Sequence, residues 1–346
     1  MQLQFYAGLV LAAFAITFAV MIPFIGLMFK LKFVRGKETE EVRKGATANF
    51  YRIRQLHASK TGKLLTAGGI PVVVVATAMF AFIYWLLGEK APVSFFPLGW
   101  ELAVLFFTFI SFALLGLYDD IIKVFGFART GFFGLRMRHK FIIQWILAFV
   151  AAGILFFGLG INFVNIPFFG IVRLGWGYFP LAAFMIVAFT NAFDITDGLD
   201  GLSGGLLMIC LLAFWLIGVG NLDHVMTTFI ALWLGSLIAY LYFNIWPARI
   251  MLGNAGGLAF GATLAVLGLL TGKIVAMMVI SGIFLIEGAS SLLQLFSKRF
   301  MKKRMFPIAP LHHWLQLAGW EEPKIVARAW MMGLVAAIFG LWLAVL

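Results

Sequence analysis

Long apolar runs alternate along the chain with short polar or basic segments, and the runs are too long to be strands. A helix needs about 20 apolar residues to cross the hydrocarbon core of a bilayer. Ten stretches qualify: 5–29, 68–87, 98–118, 141–160, 177–193, 202–219, 226–243, 257–272, 274–297 and 325–346. The thinnest divisions are a short polar insert at 193/202 and Gly272-Lys273 at 272/274. The pattern predicts an all-α polytopic membrane protein of about ten transmembrane helices. The first run has no basic segment ahead of it and exceeds a signal-peptide core, so it reads as a first span and not a cleaved address. No repeat, long Ser/Gly linker or low-complexity tract interrupts the pattern, so residues 1–346 read as a single integral-membrane domain.

Composition agrees: 63% of the residues are hydrophobic and 12% charged, whereas a soluble domain is near half apolar. The formal charge of +12 does not indicate nucleic acid, because Lys and Arg cluster between the apolar runs as they do in cytoplasmic loops. If the loops after the first, third, fifth, seventh and ninth spans are cytoplasmic, that face holds all of the 26 Lys and Arg except Lys90, Arg173 and Lys273. This bias predicts both termini on the outer side. The single cysteine, Cys210, lies in an apolar run and reads as a small core or lipid-facing residue.

Aspartate is costly near lipid, so its placement is informative. Asp119 and Asp120 stand together in GLYDDIIKV at the inner end of the third span; Asp194, Asp197 and Asp200 lie in NAFDITDGLDGL between the fifth and sixth. The remaining aspartate, Asp223, reads as a solvated outer-loop residue. Adjacent carboxylates repel and are tolerated when a cation holds them; hard oxygen ligands suit Mg²⁺. The plain alternative is a span that ends in water. If helical, the spacing of three puts Asp194, Asp197 and Asp200 near one face, in a loop with no basic residue to offset them.

Other polar groups sit on the same predicted face. NIWPARIMLGN carries Arg249 and Asn254 before a glycine-rich turn, and APLHHWLQLAGWEEPK carries His312 and His313. Arg136, Arg138, His139 and Lys140 form a basic patch, which reads as a phosphate contact or simply as the flank of a span. Glu287, inside the ninth run, shares a polar face with Ser290, Ser291 and Gln294. It reads as helix–helix hydrogen bonding or as part of a groove for a lipid phosphate.

These motifs, with Asn244, Pro247, Ala248, Gly253 and Gly256, the stretch His57…Lys60…Gly62…Thr66…Gly68-Gly69, and PLHH…GWEEPK, resemble the polyprenyl-phosphate N-acetylhexosamine-1-phosphate transferases. The last motif is most similar to the branch that acts on UDP-MurNAc-pentapeptide. The resemblance covers nearly the whole chain. It implies ten transmembrane helices, commonly a homodimer, and Mg²⁺-dependent transfer of phospho-MurNAc-pentapeptide from UDP-MurNAc-pentapeptide to undecaprenyl phosphate, giving lipid I and UMP.

The resemblance also implies roles. Asp120 binds metal, with Asn254 and Asp194 beside it, and Asp119 orients or deprotonates the lipid phosphate. Asp197 and Asp200 hold the nucleotide and the active-site loop, Asp200 being a nucleophile in a two-step variant. Lys60 and Lys140 contact phosphates, His312 the pyrophosphate and His313 the sugar; Thr66, Asn191 and Gly198 complete the substrate contacts. Two departures stand out: the family pattern has Asp at the position of Asn254 and Asn at the position of Asp194, an exchange that conserves charge. Trp314 and Gln316 replace a His and an acid. The rival readings are a transferase for another UDP-sugar, a binding-only homologue and a transporter. Transporters place ionisable groups at the bilayer midplane, whereas here nearly all lie at one predicted face.

Overall fold

The computed structural model describes residues 2–34, 49, 52–53, 64–88, 94, 96–125 and 137–346. Lys60 and Arg136 lie outside them. Among the described residues the helices in chain order are α1 (Gln2–Lys30), α2 (Gly69–Leu87), α3 (Leu98–Phe125), α4 (Met137–Gly153), α5 (Tyr178–Thr196), α6 (Leu202–Gly220), α7 (His224–Asn244), α8 (Gly253–Leu270), α9 (Ile274–Ile280), α10 (Gly282–Phe296), α11 (Leu311–Leu317) and α12 (Glu322–Val345). Nine of these described elements are long and apolar enough to cross a bilayer, α4 with the π-turn that follows it, and α9 with α10 makes a tenth, bent candidate. The chain is a multi-pass, mostly helical membrane protein.

α7 and α8 form the centre, with 89% of each apolar window buried, whereas α1 buries 17% of its window and presents the rest to lipid. α8 packs along α3 and α5, and α1 along α7. Phe109 of α3 stacks on Phe260 of α8, with ring centres 5.9 Å apart, and Trp233 of α7 meets Phe260 at 5.2 Å. Aromatic pairs in such geometries add to simple area burial. Small residues bring backbones together elsewhere. A Cβ on Gly116 of α3 would stand 2.0 Å from the carbonyl oxygen of Asn254. That close approach sets the start of α8 against α3, one turn before Asp119 and Asp120.

The structure corrects three expectations and adds one element. The ninth run is not one straight span: α9 and α10 meet at 81°. Ser281 separates them, and Cys210 of α6 sits at the break, its thiol donating to the Ile280 carbonyl at 3.5 Å while the Ser281 hydroxyl lies 3.8 Å from its sulfur. A kink exposes backbone carbonyls that need new donors, and here the buried cysteine supplies one. The connector before α5 contains an antiparallel hairpin, β1 (Phe163–Ile166) with β2 (Gly170–Arg173). Asp223 is not solvated: it is 6% exposed and accepts the Met226 N–H at 2.9 Å as the N-cap of α7. Finally, α5 ends at Thr196, so Asp194, Asp197 and Asp200 do not share a helix face.

Candidate active site

α3 and α5 deliver their C-terminal ends, and α4 and α8 their N-terminal ends, to one region. Asp119 and Asp120 lie in the last turns of α3, 1% and 4% exposed. Lys140, in the first turn of α4, reaches between two carboxylates: its Nζ is 3.4 Å from Asp119 Oδ2 and 3.1 Å from Asp194 Oδ2. Lys123 adds a second ammonium at 2.8 Å from Asp119 Oδ2. The side-chain amide of Asn254 donates to the same Asp119 oxygen. Residues 119, 140, 194 and 254 therefore form one network.

Asp120 is held differently. Its Oδ2 accepts the Ala255 N–H at 3.1 Å, a donor in the first turn of α8 where unpaired N–H groups favour an anion. Gly253, at φ +74°, fits beside it: a Cβ there would come within 2.8 Å of Asp120 Oδ2 and 2.7 Å of Thr66 Oγ1. Only glycine adopts this backbone without strain. Thr66 is placed by strand-like pairing of its neighbours, with Met251 N donating to Leu65 O at 2.8 Å and Gly68 N to Met251 O at 2.9 Å. Thr66 and Asp120, far apart in sequence, thus meet around Gly253.

The acids after α5 take separate partners. Asp197 accepts the Ser203 hydroxyl at 2.5 Å. Asp200, 2% exposed, accepts the Ala248 N–H at 3.0 Å, and its own N–H donates to Glu322 at 2.8 Å. Asn244 donates to the Ile250 carbonyl at 2.9 Å and accepts the Gly201 N–H at 3.0 Å. Together these bonds fasten the α5–α6 turn to the α7–α8 loop. Asn191 donates to Gln144 of α4 at 2.9 Å, which sets the spacing between the helices that carry Asp194 and Lys140.

His312 is 1% exposed in the first turn of α11 and stands against Gly198, where a Cβ would come within 2.4 Å of its Nε2. Its Nδ1 lies 3.0 Å from Glu287 Oε2. Glu287 thus makes a hydrogen-bonded contact between helices, α10 to α11, and its partner is a histidine. His313 Nδ1 lies 2.9 Å from Gln316 Oε1.

The model for glycosyl transferase family 4 matches residues 102–272, the segment that contributes Asp119, Asp120, Lys140, Asp194 and Asn254. The phospho-N-acetylmuramoyl-pentapeptide-transferase of Bacillus velezensis is 34% identical over 84% of this chain and 86% of its own length. That of Caldanaerobacter subterraneus is 36% identical over 81% of this chain and 84% of its own, and that of Bacillus thuringiensis 31% identical over 96% of both. The chain belongs to the phospho-N-acetylmuramoyl-pentapeptide-transferase family. As a member of that family it is a phosphoglycosyl transferase, an enzyme class that implies a nucleotide-sugar substrate and a lipid carrier in a membrane.

In this member of the family, several positioning residues escaped the sequence reading. Asn244 and Glu322 were inside quoted motifs, but their partners, Gly201 and Asp200, are distant in the chain. Gln144, within an apolar run, is given a role only by its contact with Asn191. No cluster of three or more His, Cys, Asp and Glu arranged to hold a metal ion occurs among the described residues. The donor set nevertheless fits Mg²⁺, which takes one or two carboxylates and completes its shell with water and substrate phosphates. Asp120 and Asp194 are oxygen donors of that kind.

Proposed function

We propose that the chain transfers phospho-MurNAc-pentapeptide from UDP-MurNAc-pentapeptide to undecaprenyl phosphate, giving lipid I and UMP, with Mg²⁺, at the cytoplasmic face of the bacterial inner membrane. The observation that carries the reading is the network at one end of the helix bundle in which Lys140 bridges Asp119 and Asp194 and Asn254 donates to Asp119, with Asp120 held by the Ala255 N–H next to Asn254. A phosphate oxygen of the lipid carrier attacks the phosphorus next to the sugar, and the bond from that phosphorus to the bridging oxygen of the pyrophosphate breaks, so that UMP leaves carrying that oxygen. The nucleophile is already anionic, so positioning and charge stabilisation dominate.

Asp120, with the side-chain oxygens of Asn254 and Asp194, would hold Mg²⁺. When bound, the ion neutralises charge on the pyrophosphate and the departing UMP. Asp119 orients the lipid phosphate, and Lys140 and Lys60 contact phosphate oxygens. Asp197, Asp200, Gly198, Thr66 and Asn191 shape the nucleotide site, and His313 faces the sugar. The distribution of Lys and Arg supports a cytoplasmic site with both termini outside; a homodimer is the assembly that the resemblance implies.

The test is transfer of radiolabelled phospho-MurNAc-pentapeptide to undecaprenyl phosphate by the purified protein in detergent, with and without Mg²⁺. Metal-dependent lipid I is the expected result. Absence of product with Mg²⁺ present, from folded protein, would overturn the reading.

A further inference from the structure

Glu287 and His312 form a buried carboxylate–imidazole pair that the roles above leave unexplained. Glu287, on α10, is 4% exposed, and His312 is 1% exposed. The carboxylate makes two kinds of contact with the same residue. It accepts the His312 backbone N–H, at 3.1 Å to Oε1 and 3.3 Å to Oε2, and its Oε2 lies 3.0 Å from His312 Nδ1.

Glu287 already accepts the His312 backbone N–H, and the tautomer that lets it accept from the ring as well carries its proton on Nδ1. In the neutral ring, the lone pair then sits on Nε2. His312 Nε2 is fully buried and has no hydrogen-bond partner among the described residues. Buried polar atoms of this kind call for an explanation, and a ligand atom is one. Nε2 faces Gly198, where a Cβ would stand 2.4 Å from it, so the imidazole sits in the space that the missing side chain leaves; Gly198 lies in the turn between Asp197 and Asp200.

We propose that Glu287 is the positioning residue for His312: it fixes the ring plane and the Nδ1 proton so that Nε2 presents a lone pair to a hydroxyl or amide N–H of the sugar nucleotide. This inference rests on the function proposed above and moves the partner of His312 from the pyrophosphate, which offers no donor, to the sugar or peptide portion. The carboxylate gives each donor of His312 its own oxygen, Oε1 to the backbone N–H at 3.1 Å and Oε2 to Nδ1 at 3.0 Å. A glutamine has one oxygen; with that oxygen on the backbone N–H, its NH₂ faces Nδ1 and drives the proton to Nε2. Glu287→Gln therefore keeps the shape of the side chain and converts Nε2 from acceptor to donor, an error of tautomer of the kind known to disable catalytic histidines.

The experiment compares wild type, Glu287→Gln, Glu287→Asp and Gly198→Ala in detergent by three readouts: melting temperature, transfer kinetics, and ¹⁵N NMR of the histidine ring nitrogens, with His312 assigned through His312→Gln. The expected result is an Nδ1-protonated His312 in wild type and an Nε2-protonated one in Glu287→Gln, with kcat/KM lowered at least about tenfold at near-unchanged melting temperature. Glu287→Asp should recover part of the rate, and Gly198→Ala should lose rate by displacing the ring. Wild-type rates in Glu287→Gln, or an unchanged tautomer, would overturn the proposal. The NMR readout needs no turnover, so a failure of the reaction assigned to the wild-type enzyme remains distinguishable from a failure of the pair.

Discussion

The side-chain amide of Asn254, at the start of α8, donates to the carboxylate of Asp119, near the end of α3. Lys140 then links that same Asp119 oxygen to Asp194. The exchange of Asp and Asn between positions 194 and 254, seen against the family pattern, is therefore an exchange within one network. An amide at 254 can donate to Asp119, where a carboxylate would repel it; the negative charge stands instead on the far side of Lys140. Asn254→Asp alone should lower transfer sharply, since it sets a carboxylate against Asp119 where the amide now donates. Asp194→Asn with Asn254→Asp should recover much of the loss, with a coupling of about 1–3 kcal/mol in a double-mutant cycle. Additive losses would show that the two positions act independently.

The two lysines on Asp119 should differ in importance. Lys140 has 15% of its side chain exposed and bridges two carboxylates, whereas Lys123 has 28% exposed and makes a local i,i+4 pair. Removing one partner of a largely buried pair costs about 3–5 kcal/mol; an exposed helix pair contributes at most about 1 kcal/mol. Lys140→Ala should depress both melting temperature and transfer, the latter on the order of 100-fold, because Asp194 loses its ammonium and Asp119 keeps only Lys123 and the Asn254 amide. Lys123→Ala should change melting little. Equal effects in a side-by-side thermal melt would refute the distinction.

Gly253→Ala should be severe. The backbone there has φ +74°, and the added methyl would press on Ala67 N, Thr66 Oγ1 and Asp120 Oδ2. The strained backbone alone costs about 1–2 kcal/mol. Gly282→Ala, at the first position of α10 with nothing within 4 Å, is the matched control and should melt within about 1 kcal/mol of wild type. Thermal melts and transfer rates of the two variants check this; a silent Gly253→Ala would remove the argument for the Thr66–Asp120 cradle.

Asp223 gives a pH prediction. Burial raises the pKa of its carboxyl, while the Met226 N–H that it accepts, a hydrogen bond with Glu101 and the neighbouring His224 oppose the shift. A carboxyl with a raised folded pKa gives stability that is fully present below its unfolded value and is lost as pH rises through the folded value. Asparagine keeps a cap oxygen for Met226 and cannot ionise. The melting temperature of Asp223→Asn relative to wild type should therefore rise as the pH is taken upward from the ordinary aspartate range, about 4. A difference that stays flat or falls as the pH is raised would show that the charge is not penalised.

Much of this protein was legible in one dimension. Transmembrane helices satisfy their own backbone hydrogen bonds and face lipid, so their existence follows from apolar length alone, and α1 to α8 and α12 lie where those runs predict. The aspartate pair 119–120, the acids after α5 and the two histidines were visible because charge near lipid is rare. What tertiary structure decided was every relationship between distant segments. The apolar run from 274 to 297 looks continuous, and the bend at Ser281 becomes evident only with Cys210 of α6 beside it. Spacing grouped Asp194, Asp197 and Asp200, but the end of α5 sent them to Lys140, Ser203 and Ala248. Glu287 looked like a polar residue in search of another helix; its partner was a histidine 25 positions on. Sequence fixes which residues cannot face lipid, because that cost is paid locally. Which of them face one another depends on how the helices pack.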